Sequence, residues 1–372
     1  MLTDNQILKL INDDVLKVTP EPTGKQFQPT SLDWRIGAVE IFDKDTIDKN
    51  QLEYLRRFPE APENDEDYDD FTISIDDFLD SLERDVKYLD KDDSFILEPG
   101  QQAIIYSREK FNIPYWLSMY SELRSSNGRR GLSPIDGRIQ DLSYEGRVKM
   151  SVVNKNPNPL KFYGGDRFAQ LFFEIEDNFS YVSSNSGSVR EIHNSQIMDE
   201  VGINNLIAGG LLEVSPEVVI NNNHLVFTSS DTALSFKKDF GVIDTREKYS
   251  DTDLYDEVDL SRPYEISEDD LLVVKLKEQL KLSNHVGILL ELSQSLNKNH
   301  IYNHKIGAGW VDPGYEGQVT IHDWSSIINI LKEDDVVMTG TVIYFPESVG
   351  NSYGSSGLGS HYDKNSGITV SV

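Results

Sequence analysis

Residues 141–148 read DLSYEGRV, and residues 312–319 read DPGYEGQV. Both segments place an aspartate three residues before a tyrosine, with a Glu-Gly pair behind it. Upstream, Glu122-Leu123 precedes RSS in the first half, and Glu291-Leu292 precedes SQS in the second. The spacing between these anchors changes by only two residues, as expected when one loop changes length inside a duplicated fold. The repeat predicts two tandem copies of one domain.

Short strand-like runs dominate both halves. Residues 102–106, 147–153 and 168–173 are apolar or alternating and are bounded by Pro, Gly, Asn and Asp. They predict a mainly β fold built as two antiparallel barrels or jelly rolls, with short helices. At the N-terminus, Thr3 followed by Gln6 and an apolar periodicity predicts a capped helix.

The 372 residues are enough for two hydrophobic cores. We expect a first domain at 1–176, a linker in the Ser- and Asn-rich stretch 177–198, and a second domain at 199–372. An acidic stretch at about 60–94 interrupts the first domain and has apolar residues spaced for one helix. It is interpreted as a solvated insertion.

Composition excludes several classes of protein. Because the chain has no cysteine, it has no disulfide, no thiolate nucleophile and no thiolate metal site. The formal net charge of −28 opposes binding to nucleic acid. No window approaches the length of apolar sequence that a membrane span needs, so a soluble cytoplasmic protein without membrane contact is expected.

The basic residues of this acidic chain concentrate between 121 and 150. There the segment 124–129, RSSNGR, combines guanidinium groups, hydroxyls and a glycine, which suits phosphate oxygens. Asp141 is placed to activate a water or hold a sugar hydroxyl, and Tyr144 to pack against a deoxyribose. Exposed arginines on a hairpin, an Asx-turn and a core tyrosine remain the structural alternatives.

Four segments resemble one superfamily. Residues 28–37 (QPTSLDWRIG) and 124–132 (RSSNGRRGL) resemble motifs of dCTP deaminases, and 165–171 (GDRFAQL) resembles a strand that deaminases share with dUTPases. The glycine-rich tail 353–360 (YGSSGLGS) resembles the segment that closes over the triphosphate in these enzymes. The tandem length is similar to that of long, two-domain dCTP deaminases.

The resemblance implies a dUTPase-like distorted β-barrel, or β-clip, in each half. Magnesium would bind through the triphosphate and not directly to the protein, and the active site would lie where domains or subunits meet. Without cysteine, the zinc site of cytidine deaminases cannot form, so any deamination would be zinc-free.

The resemblance also assigns roles to residues. Catalytic roles fall on Asp141, Ser125 and Arg129. Substrate contacts fall on Arg124, Ser125, Ser126, Arg129, Tyr144 and Gln170. The tail would close on phosphate through Gly354, Ser356, Gly357, Gly359 and Ser360. The second-domain counterparts are Asp312, Tyr315 and His322.

One position departs from the deaminase pattern. Ten residues after the motif aspartate, deaminases carry a glutamate that activates water, whereas this chain has Ser151 in the first half and His322 in the second. The strand at 144–154 is similar instead to that of dUTPases. The order of the motifs favours a dCTP deaminase-like hydrolase that converts dCTP to dUTP and ammonia. The alternatives are dUTP hydrolysis to dUMP and pyrophosphate, and dNTP binding without turnover.

The second half is expected to play a supporting role. In place of the RSS cluster it has SQSLNK at 293–298, with fewer guanidinium groups, so it should bind triphosphate poorly alone. We expect it to support the first domain and to donate the C-terminal tail. The expected partner is dCTP or dUTP, and assembly into a homo-oligomer is left open.

Overall fold

The computed structural model describes residues 1–42, 85–135, 142–175, 179–183, 185–216, 218–267, 270–292, 309–323 and 330–353. Residues 60–84 of the predicted acidic insertion lie outside these ranges, so its predicted helix is not tested. Within the described ranges, no helix combines the length and apolar character that crossing a membrane requires.

The described helices are short: α1 (Asp4–Asn12), α2 (Ser125–Arg129), α3 (Glu200–Ala208) and α4 (Asp251–Leu254), with one 3₁₀ turn at Gly24–Gln26. Helix α1 begins as predicted. The hydroxyl of Thr3 accepts from the Gln6 backbone N–H (3.4 Å), and the Thr3 N–H donates to the Gln6 side chain (2.9 Å). This reciprocal pair satisfies two otherwise orphaned donors and fixes the start of the helix.

The first half forms an antiparallel sheet in which the strands β7-β11-β3-β6-β9-β8 lie side by side. The strands of the first half are β1 (Lys17–Thr19), β2 (Phe27–Gln28), β3 (Ser31–Phe42), β4 (Val86–Tyr88), β5 (Ser94–Leu97), β6 (Gln102–Asn112), β7 (Ser118–Leu123), β8 (Leu132–Pro134), β9 (Glu145–Asn154), β10 (Leu160–Tyr163), β11 (Arg167–Glu174), β12 (Phe179–Val182) and β13 (Val189–Ile192). Of these, β5 and β10 form a separate small sheet with Ile243–Asp244 of the second half, and β12 and β13 form a hairpin. The predicted runs correspond to β6, β9 and β11.

The second half repeats this arrangement, with the strand order β15-β21-β17-β26-β22-β23 and β24 on β21. Its strands are β14 (Gln196–Ile197), β15 (Leu212–Ser215), β16 (Val219–Asn221), β17 (His224–Phe236), β18 (Ile243–Asp244), β19 (Tyr255–Asp259), β20 (Tyr264–Glu265), β21 (Leu272–Leu282), β22 (Val286–Leu292), β23 (Trp310–Val311), β24 (Glu316–Asp323), β25 (Ile330–Leu331) and β26 (Val336–Tyr344). The order β7-β11-β3-β6-β9 matches β22-β26-β17-β21-β24. The prediction of two tandem β-domains is confirmed.

The duplication extends to a buried glutamate at a bulge in each sheet. On β6, Glu109 accepts from the backbone N–H of Arg35 (2.9 Å). On β21, Glu278 accepts from the backbone N–H of Thr228 (3.0 Å). Each glutamate lies where the register of the sheet shifts. Because a bulge leaves backbone groups unpaired, a carboxylate there satisfies them in both copies.

Two large apolar cores fill the two halves, and a smaller cluster joins them. The joining cluster packs Phe172 and Tyr120 of the first half against Trp310 and Phe345 of the second. The first core also takes in Phe236 and other second-half side chains. The halves therefore share apolar surface and hold a common junction.

The segment predicted as a linker is partly ordered into the first domain. Strands β12 and β13 form a hairpin at 179–192, and its Tyr181 and Ile192 are buried in the first core. The Tyr181 hydroxyl donates to the carboxylate of Asp13 (2.7 Å). The predicted domain boundaries at 177 and 198 thus enclose a packed hairpin, which the Ser- and Asn-rich composition did not reveal.

Candidate active site at the junction of the two domains

A buried carboxylate lies between two guanidinium groups in the first domain. Asp33, with no exposed side-chain surface, forms an ion pair with Arg124 Nε at 3.1 Å and accepts a hydrogen bond from Arg167 Nη1 at 3.2 Å, both on the same oxygen. The sheet order explains the meeting: Arg124 follows β7, Arg167 begins β11, and Asp33 is on β3 across from them. Both guanidinium groups therefore converge on one carboxylate oxygen.

Burial and mutual charge set the protonation of this group. Burial raises the pKa of Asp33, and the two guanidinium groups oppose that shift. Burial also lowers the pKa of Arg124, while Asp33 counteracts the effect. The other oxygen of Asp33, Oδ1, is buried without a hydrogen-bond partner. A carboxylate so placed orients the arginines and leaves excess positive charge beside it.

The RSS segment is a short helix and not the turn that we predicted. Arg124 is the N-cap of α2, and the Asn127 side chain donates to the Phe168 carbonyl (2.8 Å), which holds the helix against β11. Ser125 is exposed and Ser126 partly exposed. Arg129 is only 6 % exposed. The structural alternative of exposed arginines on a hairpin therefore does not hold for Arg129.

Helix α2 is braced by the second domain. The Tyr255 hydroxyl donates to the Arg129 carbonyl (3.2 Å), and Arg130 Nη2 donates to the Thr245 carbonyl (3.2 Å). Strand β24 also lies against α2. Behind the helix, a Cβ on Gly131 would meet the Leu271 side chain at 2.5 Å, so this glycine permits close packing. The phosphate-binding candidate thus depends on both halves.

Asp312 reaches from the second domain toward this cluster. Its Oδ1 accepts from Trp310 Nε1 (3.0 Å) in its own domain and from the Thr30 hydroxyl (3.2 Å) in the first. Burial raises the pKa of Asp312 to about 7; the two donors oppose the shift, and nearby Asp33 and Asp4 add to it. A carboxylate that titrates near neutral pH in a junction is suited to general acid-base work.

Two tyrosines border the same loop. Tyr315, at the start of β24, donates its hydroxyl to the Gln318 carbonyl (2.6 Å), and its ring packs on Tyr353 with centroids 5.3 Å apart. The Tyr353 backbone N–H donates to the Pro313 carbonyl (3.0 Å). Its phenol also lies close enough to Arg124 to affect that guanidinium electrostatically. Tyr353 is the first residue of the glycine-rich tail and the last residue that the structure describes.

The remaining predicted site residues are placed as follows. Gln170 on β11 lies across from Asp33 and accepts from the Ser31 hydroxyl (3.4 Å), so it belongs to the cluster. Tyr144 donates to the Arg147 carbonyl of its own hairpin and packs on the first core. Asp141, the side chain of His322 and the tail residues Gly354, Ser356, Gly357, Gly359 and Ser360 lie outside the described residues.

We predicted a pocket formed by the 124–129 segment with Asp141 and Tyr144 of the same domain. Asp141 lies outside the described residues, so this prediction is not tested. Helix α2 and the following Arg130 contact the second domain at Tyr255, Thr245 and β24, and the first domain at Asp33 and the Phe168 carbonyl. Asp312, the repeat counterpart of Asp141, bonds to Thr30 of the first domain and lies near Asp33 of the arginine cluster.

Sequence reasoning did not select Asp33, Arg167, Thr30 or Tyr353 as site residues. All four lie inside quoted motifs, and a charged residue within the strand run SLDWRIG was the available signal for Asp33. Thr30 and Tyr353 gave no such signal, because their roles depend on contacts over hundreds of residues. Among the described residues, no group of three or more His, Asp or Glu side chains could hold a metal ion.

Comparisons with known proteins relate this site to a family. A family model described as dCTP deaminase-like matches residues 1–175. The chain is 31 % identical to the dUMP-forming dCTP deaminase of Persephonella marina over 173 residues, covering 46 % of this chain and 82 % of that protein. It is 29 % identical to the dUMP-forming dCTP deaminase of a Sulfurihydrogenibium species over 181 residues, covering 48 % and 85 %.

A structural match extends over both halves. The crystal structure of 2′-deoxycytidine 5′-triphosphate deaminase from Agrobacterium tumefaciens superposes with a TM-score of 0.67 at 16 % identity, covering 94 % of this chain and 98 % of that one. At this identity the match bears on the fold alone, and it supports the dUTPase-like architecture of the tandem. The resemblance drawn from the motifs is confirmed, and the chain belongs to the dCTP deaminase family within the dCTP deaminase/dUTPase superfamily, a family of hydrolases that act on pyrimidine deoxynucleotides.

Proposed function

We propose that the chain converts dCTP to dUMP, ammonia and pyrophosphate at one site formed by both domains. One water replaces the 4-amino group of the base, and a second water displaces pyrophosphate from the α-phosphate. The observation that carries the proposal is the position of Asp312, held by Thr30 of the other domain and close to the Asp33–Arg124 cluster. The names of the two relatives at about 30 % identity support dUMP as the product.

The triphosphate would bind to the first domain. Arg124, Arg129 and Arg167 concentrate positive charge there, in a chain whose net charge is −28. The hydroxyls of Ser125 and Ser126 and the amide of Gln170 would complete the contacts. Such guanidinium clusters stabilise the charge that develops on a reacting phosphoryl group.

The nucleoside would bind to the second domain. The Tyr315 ring offers a flat surface to deoxyribose, and Asp312 would hold or deprotonate the water that attacks the α-phosphate. His322 occupies the sequence position of the deaminase glutamate and is the candidate base for the water that attacks C4. The glycine-rich tail beyond Tyr353 would close over the phosphates through Gly354, Ser356, Gly357, Gly359 and Ser360.

Magnesium would accompany the nucleotide. Among the described residues the site offers cationic side chains and hydroxyls around the phosphates, and no carboxylate cage, so this donor set fits a cation held mainly by phosphate oxygens and water. Bound there, Mg²⁺ would neutralise charge on the leaving pyrophosphate.

A second candidate, dUTP hydrolysis without deamination, is favoured by one observation. The position ten residues after the aspartate carries Ser151 or His322 and not glutamate. The absence of glutamate at this position in both halves also motivates the third candidate, a dNTP-binding regulator without turnover.

Product analysis separates these functions. The purified protein is incubated with dCTP or with dUTP and Mg²⁺, and ammonia, pyrophosphate and nucleotides are measured. Equal ammonia, pyrophosphate and dUMP from dCTP is the expected result. Ammonia with dUTP accumulating would indicate deamination alone, and pyrophosphate from dUTP with dCTP untouched would indicate the diphosphatase. Binding with no product would overturn both enzymatic proposals.

A further inference from the structure

The two ends of the described chain are joined by a single buried carboxylate. Asp4 is 3 % exposed and accepts three hydrogen bonds: from the Gly350 N–H (2.8 Å), the Asn351 N–H (2.8 Å) and the Asn351 side-chain amide (2.9 Å). Both of its oxygens are therefore occupied by a segment 346 residues away. A charged acceptor makes such bonds stronger than a neutral one would.

Helix α1 holds this carboxylate in place. Asp4 begins the helix immediately after the Thr3 cap, where the helix dipole favours a negative charge, and its own N–H donates to the Pro29 carbonyl (2.9 Å). A Cβ on Gly350 would meet the Asn5 side chain at 2.5 Å, so the 350–351 backbone lies directly on the start of the helix. The 350–351 backbone is therefore closely packed on helix α1 as well as hydrogen-bonded to it.

The anchored segment leads straight to the candidate active site. Two residues after Asn351, the Tyr353 N–H bonds to the Pro313 carbonyl, in the turn that follows Asp312. A Cβ on Gly314 would meet the Ser352 side chain at 2.7 Å. The Tyr353 ring lies against Tyr315. Residues 350–353 are thus bonded to helix α1 at one end and to the Asp312 loop at the other.

We propose that Asp4 is a positioning residue that fixes residues 350–353, and that Tyr353, held by this anchor, forms a wall of the nucleotide site beside the Tyr315 ring. The inference rests on the proposed function of that site. Helix α1 would then contribute to nucleotide binding without contacting the nucleotide.

The duplication shows that the carboxylate is not required to build the domain. In the second domain the corresponding residue of helix α3 is Glu200, which follows the cap Asp199 as Asp4 follows Thr3. Glu200 is exposed, and in the described ranges no ion pair or side-chain hydrogen bond is assigned to its carboxylate. The same helix therefore forms without an anchor, and the anchor is found only in the copy that lies beside the tail.

The anchor is tested first in the ligand-free protein by amide hydrogen exchange at Gly350 and Asn351. Asp4→Asn keeps the shape of the side chain but removes its charge and one strong acceptor, so exchange at both amides should accelerate by about tenfold or more. The matched control Glu200→Gln should leave both rates unchanged. Unchanged exchange in Asp4→Asn would overturn the anchor. If that variant does not fold, exchange at Gly350 is measured in Asn351→Ala, which removes only one of the three bonds. Faster exchange than in the wild type is expected there, and an unchanged rate would overturn the anchor.

The wall is tested by steady-state kinetics with dCTP and Mg²⁺. Both Asp4→Asn and Tyr353→Leu should raise KM by about tenfold and change kcat by less than about threefold, because binding and not chemistry is affected. Tyr353→Phe should restore a KM near that of the wild type, since the ring is kept. A normal KM in Tyr353→Leu would overturn the wall. If the wild-type protein bound no nucleotide, the proposed function and the wall would both fall, whereas the exchange experiment would still decide the anchor.

Discussion

The hydroxyl of Thr30, in the first domain, donates a hydrogen bond to Asp312 of the second domain at 3.2 Å. This contact spans 282 residues and places the repeat aspartate of one domain beside the arginine cluster of the other. The tandem therefore creates, within one chain, a junction of the kind that separate copies of a β-domain would have to form by association. The two aspartates of the repeat are consequently not equivalent.

The first prediction compares those two aspartates. If the junction is the active site, Asp312→Asn should reduce pyrophosphate release by about 100-fold or more, because the group that activates water is lost. From the sequence, Asp141→Asn is expected to cause the same loss. Asp141 lies outside the described residues. Turnover of both variants is measured with dCTP and dUTP. Loss in Asp141→Asn with Asp312→Asn unaffected would move the site to the first domain.

The second prediction concerns pH. Because burial raises the pKa of Asp312 to about 7, its carboxylate is half ionised in the free enzyme near neutrality, and kcat/KM should rise as pH increases through that value. Thr30→Val removes a donor that favours the ionised form, so the rise should move to higher pH, and Thr30→Ser should return it. An identical profile in Thr30→Val would show that Asp312 is not the group observed.

The raised pKa of Asp312 also predicts a pH dependence of stability. The free energy of unfolding should fall as pH rises, whereas kcat/KM should increase. Between the unfolded pKa of about 4 and the folded value of about 7, the folded protein retains a proton that the unfolded chain releases. The Asp312 contribution to the free energy of unfolding therefore falls as pH rises through this window. Asp312→Asn should be more stable than the wild type at pH 8, with the difference vanishing at pH 4. Thermal melts at both pH values measure it, and a variant destabilised at pH 8 would contradict the assignment.

The third prediction tests the phosphate end of the site. Arg124→Ala should weaken dCTP binding far more than deoxycytidine binding, because the guanidinium meets phosphate and not the nucleoside. Arg124→Lys should recover only part of the affinity, since an ammonium cannot reproduce the planar fork. Calorimetric titration of both ligands measures this, with Lys281→Ala, an exposed ion-pair residue, as the control. Equal losses for both ligands would remove Arg124 from phosphate binding.

The parts of the fold that the sequence predicts are those determined by local pattern. The repeat at 141–148 and 312–319 predicts the duplication, and alternating runs predict β6, β9 and β11, because strand periodicity is a property of a few adjacent residues. The capping pair Thr3 and Gln6 predicts the start of α1 for the same reason. Each of these features is determined within about ten residues.

The composite site could not be predicted in this way. Whether Asp141 or Asp312 meets Arg124 depends on how two similar domains dock, and both loops carry the same motif. The anchor between Asp4 and Asn351 likewise involves opposite ends of the chain. The segment 124–129 was assigned to a turn because its Ser, Asn and Gly favour turns, but the bond from Asn127 to the Phe168 carbonyl stabilises a helix there.

The last prediction uses the duplicated glutamates as an internal comparison. Glu109 is fully buried and bonds both the backbone N–H (2.9 Å) and the guanidinium (2.5 Å) of Arg35, whereas Glu278 bonds the backbone N–H and hydroxyl of Thr228. Glu278→Gln loses charge-assisted hydrogen bonds, which costs about 1–3 kcal/mol of the free energy of unfolding. Glu109→Gln also leaves a partly buried guanidinium without its counter-charge, and should cost about 3–5 kcal/mol.

Denaturant unfolding of both variants and of the double variant measures these losses. The two sites lie in different cores, so the double variant should show their sum within about 0.5 kcal/mol. Equal losses in the two single variants would mean that the Arg35 ion pair adds nothing beyond the shared bulge contact. A double variant clearly more stable than the sum would mean that the two sites are energetically coupled across the junction.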